Sequence, residues 1–349
     1  MESMRWQEWL GVGERRWKKA PDEEVQPAKT LWDWLQLLIV PAILVGVTFA
    51  WSDLQTKSNN KREDRRIAAD RTAAEEARRD TTLQGYLDQM SGLMLHEKLL
   101  TSKNGDAVRA VARAVTLATL RRLDGERRGA IVKFLSEARL LAGEDPPVSL
   151  DGADLARADL SLAQLDGANL KSTNLKGADL AYASLVRSNL ALVDLEGADL
   201  KGVDLSHADL GSANLSAADL KDAYLTGANL DFADCTHAVF RNVDADGAIL
   251  TSVNFTRANL DQSRLRGADL THADLNGASL HHVDLENANL LWTSNLDLSR
   301  FLTDAPRELR KRFLDSQKTF LDLLTADQMA LFNLTPKKLA DLRRETGGG

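Results

Sequence analysis

The sequence predicts a mainly β protein built on a β-helix over residues 148–292, with helical segments before and after it. Every fifth position from Leu150 to Leu290 gives 29 residues, and 25 of them are leucine. A small residue lies two positions before each of these, and Asp or Asn usually lies directly before it. No insertion interrupts this five-residue repeat, so the pattern indicates a solenoid of stacked units.

A period of five fits neither an α-helix nor an ordinary β-strand. Five residues of α-helix advance about 500°, so the leucines would spiral around the helix surface. A strand alternates every two residues and would send successive leucines to opposite faces. A chain that bends after every fifth residue instead sends each leucine, and the small residue two before it, to one interior. Glycine is frequent two places after the leucine, where a type II turn needs a positive φ.

The repeat units, seen plainly in GADLARADL and GANLKSTNL, resemble those of the pentapeptide-repeat proteins. This resemblance implies a right-handed quadrilateral β-helix with four units per coil. The 29 units would then make just over seven coils, a rod about 34 Å long. Residues 83–142 are also similar to the helical segment that lies between a membrane helix and the repeats in some bacterial members.

Four residues replace leucine at the repeat position, and they predict compensating changes of volume in the core. Cys235, Phe240, Ala245 and Phe255 fall within one coil or just beyond it. Phe240 adjoins the small Ala245, and Phe255 lies one coil of 20 residues after Cys235, which core packing tolerates. Cys235 is therefore expected to be a buried core thiol and not a nucleophile.

An apolar run near the N-terminus predicts a transmembrane helix over residues 31–52. Leu35–Trp51 contains 17 residues without a charge, about 25 Å of helix. Trp32 and Trp34 before the run and Trp51 at its end are candidate membrane-interface anchors. The alternative is a buried core helix. Because basic residues number five before the span and six after it, we expect a single-pass cell-membrane protein whose β-helix lies in the cytoplasm. The free cysteine and the lack of an export signal agree with this.

The remaining segments are assigned from composition and helical periodicity. Residues 1–30 form a basic, Trp-rich tail, and residues 53–82 a charged helical stalk. Apolar stripes predict a small helical domain over residues 83–145. The C-terminal residues 293–349 are expected to form helices that cap the open end of the β-helix, with dimerisation as the alternative role.

The sequence predicts no enzymatic chemistry, cofactor or metal site. It contains no phosphate-binding loop, dinucleotide fingerprint, zinc-protease motif or nucleophile elbow. The four outward histidines of the repeats, His207, His237, His272 and His282, are expected on four different sides of the rod. They therefore cannot converge on a metal ion.

The repeats carry 21 acidic and 10 basic residues between Ser149 and Leu290, which makes their outer surface acidic. The candidate interaction surface consists of carboxylates directly before the repeat leucine: Asp154, Asp194, Asp234, Asp274, Asp159, Asp179, Asp199 and Asp219. One interpretation is a solubilising face, on which Asp and Asn alternate to relieve the stacking of like charges. The other is a DNA mimic, because some soluble pentapeptide-repeat proteins are understood to bind type II topoisomerases.

The function predicted from these features is that of a membrane-tethered, non-enzymatic interaction or scaffold protein. Its expected partners are the lipid bilayer and an unidentified protein, with no direct contact to nucleic acid. A second copy of the chain, contacted through the stalk or the C-terminal helices, is a further candidate partner. The alternatives are a DNA-mimicking inhibitor of a type II topoisomerase and an assembly element of a membrane-associated oligomer.

Overall fold

The computed structural model describes residues 31–143 and 145–294, and also residues 311, 314, 317, 329 and 335–345. The chain divides into two compact units, Met1–Glu76 and Ala77–Gly349. This boundary falls inside the predicted stalk, so the last part of the stalk groups with the helical domain. The predicted N-terminal tail, residues 1–30, lies outside the described residues.

The first helix, α1, runs without a break over Leu31–Leu95 and has Pro41 inside it. The predicted membrane helix and stalk are therefore parts of a single element, because the apolar run continues directly into charged, alanine-rich sequence that also favours helix. In the described part of the chain, no helix has an apolar stretch long enough to cross a membrane, so the transmembrane helix predicted for residues 31–52 is not found. The side chains of Trp32 and Trp34 lie outside the described part, and Trp51 is exposed.

The predicted helical domain consists of the end of α1, a 3-10 turn (Leu99–Thr101), α2 (Ala107–Leu120) and α3 (Gly125–Glu137). Apolar side chains from these helices are fully buried together, among them Met90, Leu120 and Ile131. The hydroxyls of Tyr86 and Thr116 form a hydrogen bond inside this core, with their oxygens 3.0 Å apart. Burial raises the pKa of Tyr86 well above its usual range.

Residues 148–294 form the four-sided β-helix predicted by the repeat. Each backbone bridge joins a residue to the one 20 positions later in parallel, as Asp154 to Asn174 and Asp159 to Asp179. Four units therefore make one coil. In residues 148–294 the pairing is confined to single-residue bridges and forms no continuous strand, because each side offers one residue between two turns. We number the sides face 1 to face 4 by their bridging residues in the first coil: Asp154, Asp159, Gln164 and Asn169.

Every turn between faces has a residue with positive φ two places after the inward residue, as the glycine pattern predicted. Gly152 has φ +71°, and residues as large as Tyr182 (+58°) and Phe232 (+58°) adopt the same conformation elsewhere. The amide three places after the inward residue donates to its carbonyl, as from Ala158 N–H to Leu155 O at 3.0 Å. These are the features of a type II turn.

The core of the β-helix consists of the inward leucines and the small residues two before them. Cys235, Phe240, Ala245 and Phe255 are all buried, which agrees with the predicted exchange of volume. The rings of Phe240 and Phe255 meet edge to face, with centroids 5.3 Å apart, a favoured aromatic geometry. Burial raises the pKa of the Cys235 thiol well above its usual value, which agrees with a core thiol.

The hydrogen bonds of one unit, Ala178–Tyr182, account for all five of its backbone N–H groups. Ala178 donates back to the preceding inward residue within the turn, at 3.0 Å. Asp179 donates to the coil before (2.9 Å), whereas Leu180 (2.7 Å) and Tyr182 (2.8 Å) donate to the coil after. The amide of Ala181 donates to the side chain of Asp179 at 3.0 Å. A coil at the end of the rod therefore has backbone groups without a neighbouring coil.

The helical domain covers the N-terminal end of the rod and replaces the missing coil, a role that the sequence did not predict. The carbonyl of Gly125 accepts from the backbone N–H of Asp159 at 3.3 Å. Arg128 donates to Ala156 O at 2.9 Å, and Arg113 donates to Asp151 O at 2.8 Å. The first coil thus finds donors and an acceptor on α2 and α3 where an earlier coil would supply them.

The contact between α3 and the first coil depends on glycine. A Cβ added to Gly129 would lie 2.0 Å from the carbonyl oxygen of Asp159, and one on Gly125 would lie 1.9 Å from that of Arg157. Only a residue without a side chain lets the helix backbone approach the coil this closely. The Gly-x-x-x-Gly spacing places both glycines on the same face of α3.

At the other end of the rod, Gln317 makes the contact expected of a cap. It is buried, and its Nε2 donates to the carbonyl of Ala288 at 2.6 Å. In earlier coils the equivalent carbonyl accepts from the backbone of the next coil. A fourth helix, α4 (Pro336–Glu345), follows, but most of residues 293–349 lie outside the described residues.

We predict that Gly129→Ala destabilises the protein, because the added methyl group must separate α3 from the first coil. The free energy of unfolding should fall by about 1–3 kcal/mol, the usual cost of overpacking. The matched control is Gly85→Ala on α1, where nothing lies within 4 Å of the new Cβ. That change should leave stability unchanged or raise it by up to about 1 kcal/mol. Urea unfolding followed by circular dichroism measures both, and equal effects would contradict the assigned cap contact.

Candidate interaction surface

Each of the eight candidate aspartates accepts a hydrogen bond from the backbone N–H two residues further on. The distances run from 3.0 Å, as for Asp179 and Asp234, to 3.3 Å for Asp154. The remaining five make the same bond: Asp159, Asp194, Asp199, Asp219 and Asp274. Asn residues at the equivalent position do so as well, as Asn174 does for Lys176. The row of Asp and Asn therefore has a structural role in every turn it precedes.

On face 1 the alternation of Asp and Asn produces hydrogen bonds between coils. Nδ2 of Asn174 donates to Asp154 at 3.1 Å, and Nδ2 of Asn214 donates to Asp194 at 3.0 Å. Arg128 of α3 also forms a salt bridge with Asp154, at 2.8 Å. Face 1 thus supplies donors between its carboxylates instead of stacking like charges, which favours the interpretation of alternation as relief of repulsion.

Face 2 differs, because four aspartates follow one another on consecutive coils. Asp159, Asp179, Asp199 and Asp219 are each one coil apart, about 4.8 Å. Two lysines offset part of this charge. Lys201 lies 2.7 Å from Asp199 and 3.2 Å from Asp219, and Lys133 of α3 lies 3.3 Å from Asp159. Face 2 is nevertheless the only face among residues 148–294 on which four carboxylates stack in succession.

The carboxyl of Asp159 at the start of face 2 is held in its charged form. The Ser161 hydroxyl donates to it at 2.6 Å and lowers its pKa, and the Lys133 ammonium lowers it further against the opposite effect of burial. Because the pKa of Asp159 is lower in the folded state than in the unfolded state, the carboxylate stabilises the fold at pH values above its unfolded-state pKa. The contribution is lost as the pH falls through the folded-state pKa.

The structure brings together one group of polar residues that the sequence did not indicate. The Ser279 hydroxyl lies 2.8 Å from Nδ1 of His281, and the same nitrogen lies 3.2 Å from Asp261. Serine and carboxylate therefore face one ring nitrogen, whereas a nucleophilic relay places them on opposite nitrogens. Because Asp261 and His281 are 20 residues apart, the four-unit coil alone would have predicted that they lie side by side. In residues 31–143 and 145–294, no cluster of His, Cys, Asp and Glu could hold a metal ion.

The four outward histidines keep the separation predicted for them. The register of 20 places His207, His237, His272 and His282 at four different turns around the rod. The ring of His272 stacks on Trp292 in the next coil, with centroids 6.4 Å apart. The ring of His207 lies over Gly227, where an added Cβ would come within 2.6 Å of it.

This geometry defines a class: a four-sided β-helical solenoid whose side-chain rows are repeated every 20 residues. The profile of the family described as Pentapeptide repeats (8 copies) matches residues 148–180, 178–216, 218–257 and 254–290. The chain belongs to the pentapeptide-repeat family. Comparison with curated proteins gave no match.

Several solved structures are similar to the chain over the repeats. HetL of the cyanobacterium Nostoc sp. strain PCC 7120, a pentapeptide-repeat protein involved in heterocyst differentiation regulation, is 32% identical (43% of this chain, 83% of that chain, TM-score 0.26). The pentapeptide-repeat protein alr5209 of Nostoc PCC 7120 is 34% identical (30% and 83%, TM-score 0.24). QnrB1, a plasmid-mediated fluoroquinolone resistance protein, is 18% identical (42% and 85%, TM-score 0.25).

We predict that two substitutions at Asp194 differ in their effect on stability, because only one of them keeps the hydrogen bond to the backbone. Asp194→Asn keeps the oxygen that accepts from the Glu196 amide, so the free energy of unfolding should change little. Asp194→Ala removes that acceptor and should cost about 1–2 kcal/mol, because the amide loses its partner. Urea unfolding of the two variants makes the comparison. Equal stability of the Asn and Ala variants would show that the side-chain bond does not stabilise the turn.

Proposed function

We propose that this chain is a non-enzymatic protein-interaction protein whose β-helix presents face 2 to a basic surface of a protein partner. The observation that carries the proposal is the run of Asp159, Asp179, Asp199 and Asp219 on consecutive coils. Like charges at this spacing repel, and the alternation on face 1 illustrates how the fold can avoid it. A partner that brings cations to face 2 would relieve the repulsion.

The rigidity of the rod supports an interaction role. Backbone N–H and C=O groups of the β-helix form hydrogen bonds within the turns, to the neighbouring coils and to the caps at its ends. A partner would therefore contact the rod mainly through its fixed rows of outward side chains. A surface that does not reorganise on binding loses little conformational entropy, which favours selective recognition of charge.

The DNA-mimic alternative has weaker support than a general protein partner. A mimic of duplex DNA needs an unbroken array of negative charge, whereas Lys201 sits between two of the face 2 aspartates and Lys133 covers a third. The outward rows also include lysines and arginines elsewhere on the rod, such as the pair of Arg266 with Asp284.

We also propose that the apolar part of α1 associates with a membrane, so that the β-helix works close to a bilayer. Its large side chains are exposed around the helix, with Ile43 57%, Val47 58% and Phe49 78% exposed. A contiguous exposed apolar surface of this kind is typical of a site that contacts lipid or protein. The location of the β-helix on the cytoplasmic side remains a prediction from the flanking charges.

We predict that partner capture depends on face 2 and not on total charge. The test variant carries Asp179→Asn, Asp199→Asn and Asp219→Asn, which keep the oxygens that cap the turns. The matched control removes the same charge from faces 3 and 4 through Asp204→Asn, Asp209→Asn and Asp269→Asn, whose side chains cap turns in the same way. Quantitative mass spectrometry of proteins cross-linked to the full chain should show a partner that is lost only with the first variant.

Two results would contradict this proposal. If both triple variants lose the partner equally, total charge and not face 2 decides binding. If the unmodified chain inhibits supercoiling by a type II topoisomerase at micromolar concentration, the DNA-mimic function is the better assignment.

We predict that the full chain stays with the membrane pellet after ultracentrifugation of the cell lysate. Ile43→Lys with Phe49→Lys should move it to the supernatant, because burying two charges in lipid costs several kcal/mol. Leu162→Lys on the rod, at a side chain 69% exposed, is the control and should leave the chain in the pellet. Recovery of the unmodified chain in the supernatant would refute membrane association.

A further inference from the structure

Two edges of the rod carry large apolar side chains that the fold does not need, one with Leu162 and Tyr182 and one with Leu192 and Phe232. We call the second edge 4: the turn residues that follow face 4, from Lys171 and Ser172 to Leu291 and Trp292. Leu192 is 56% exposed there and Phe232 is 66% exposed. Both occupy the turn position with positive φ, where smaller residues serve elsewhere in the rod. Exposed apolar side chains that recur along one edge are typical of an interface.

Small and large residues alternate along edge 4 from Ser172 to His272. The outermost turn positions on successive coils are Ser172, Leu192, Ser212, Phe232, Ser252, His272 and Trp292. Leu192 therefore has a serine one coil before it and one coil after it, and so does Phe232. An edge with this alternation is complementary to itself in any packing that brings each large side chain of one copy opposite a serine of the other.

Edge 4 is also the edge with the fewest charges. Between residues 171 and 292 its only Asp, Glu, Lys or Arg are Lys171 and Asp231, and the same edge begins one coil earlier with Asp151. Lys171 and Asp231 lie three coils apart, about 14 Å, so they cannot pair with each other in one chain. A rod whose repeats carry a net charge of −11 (10 basic minus 21 acidic) would repel a second rod along most other approaches.

We propose that the protein forms a symmetric dimer in which edge 4 of one copy packs antiparallel against edge 4 of a second copy. The two-fold axis passes between the coils of Leu192 and Ser212. This axis makes three kinds of pair, each occurring twice: Leu192 with Ser212, Phe232 with Ser172, and Lys171 with Asp231. At the axis itself the small residues Ala191 and Gly211 face each other, which permits close approach.

Charge selects this register and this direction. An antiparallel dimer whose two-fold axis lies one coil further on, between the coils of Ser212 and Phe232, still pairs large residues with serines, but it leaves Lys171 opposite Thr271 and Asp231 opposite Gly211. A parallel dimer in register does not fit the alternation, because Leu192 meets Leu192 and Phe232 meets Phe232, and it also places Lys171 against Lys171 and Asp231 against Asp231, which is repulsive. A parallel packing shifted by one coil restores the contacts of large residues with serines, but it leaves Asp231 opposite Gly211 or Thr251. Of the arrangements that fit the alternation, the proposed one satisfies both charges. Face 2 stays clear of the contact, so the dimer does not depend on the proposed function of that face.

The contact is small, because the paired residues, from Lys171 to Phe232, extend over about 14 Å of edge. Stable interfaces usually bury roughly 1,600 Å² in total. We therefore expect a reversible dimer with a dissociation constant in the micromolar range, visible in sedimentation velocity of the full chain in detergent solution.

A charge-reversal cycle tests the register. Lys171→Asp alone and Asp231→Lys alone should each raise the dissociation constant tenfold or more, because each change creates two like-charge contacts. The double variant should restore dimerisation, since Asp at 171 then meets Lys at 231. Phe232→Ser should also weaken the dimer, whereas Leu162→Ser, on a different edge, should not. Thermal unfolding checks that these exposed changes leave the fold intact.

Disulfide formation gives a second, geometric test. Chains with Lys171→Cys mixed with chains with Asp231→Cys should form a cross-linked dimer, and neither variant alone should do so. Cys235 does not interfere, because it is buried. A monomer at all concentrations would overturn the proposal. So would a dimer that ignores the charge reversals and gives no cross-link between positions 171 and 231, which would place self-association on the helices instead.

Discussion

The structure depends on one constraint: each five-residue unit must find partners for all five of its backbone N–H groups. Neighbouring coils satisfy three, the turn satisfies one, and the Asp or Asn side chain satisfies the fifth, as in Ala178–Tyr182. Burial of the leucine row provides the driving force for the rod, but this set of hydrogen bonds fixes its register. The polar row before each leucine therefore belongs to the architecture as much as the leucine does.

The same constraint explains what lies at the ends of the rod. A coil without a neighbour exposes the groups through which another chain could add. α3 meets this need at the first coil through Arg128 and through the close approach that Gly125 and Gly129 permit. Gln317 meets it at the last coil. The buried side chains of the helical domain belong to the same core as those of the rod, so this domain is a structural part of the β-helix.

Much of the rod could be predicted from the sequence, because a strict period constrains geometry directly. The inward leucines, the positive φ two places later and the burial of Phe255 one coil after Cys235 all follow from counting residues. The N-terminal cap could not be predicted in this way, since it depends on the backbone of α3 meeting the first coil at a distance that periodicity does not encode. Counting in steps of 20 residues shows that Asp and Asn alternate on face 1 and that Asp is repeated on face 2. How each face compensates its charge is seen only in the structure, where Asn174 donates to Asp154 and Lys201 pairs with Asp219.

The 20-residue register also limits how such a chain can change length during evolution. Gain or loss of a whole coil leaves every later side chain on its original face. Gain or loss of a single five-residue unit preserves the core, yet it turns all later faces by a quarter of a revolution. The rows of outward side chains are therefore kept only when units are gained or lost in groups of four. Duplication of a single unit, in contrast, can change the outer surface of such a protein and leave the packing of its interior unchanged.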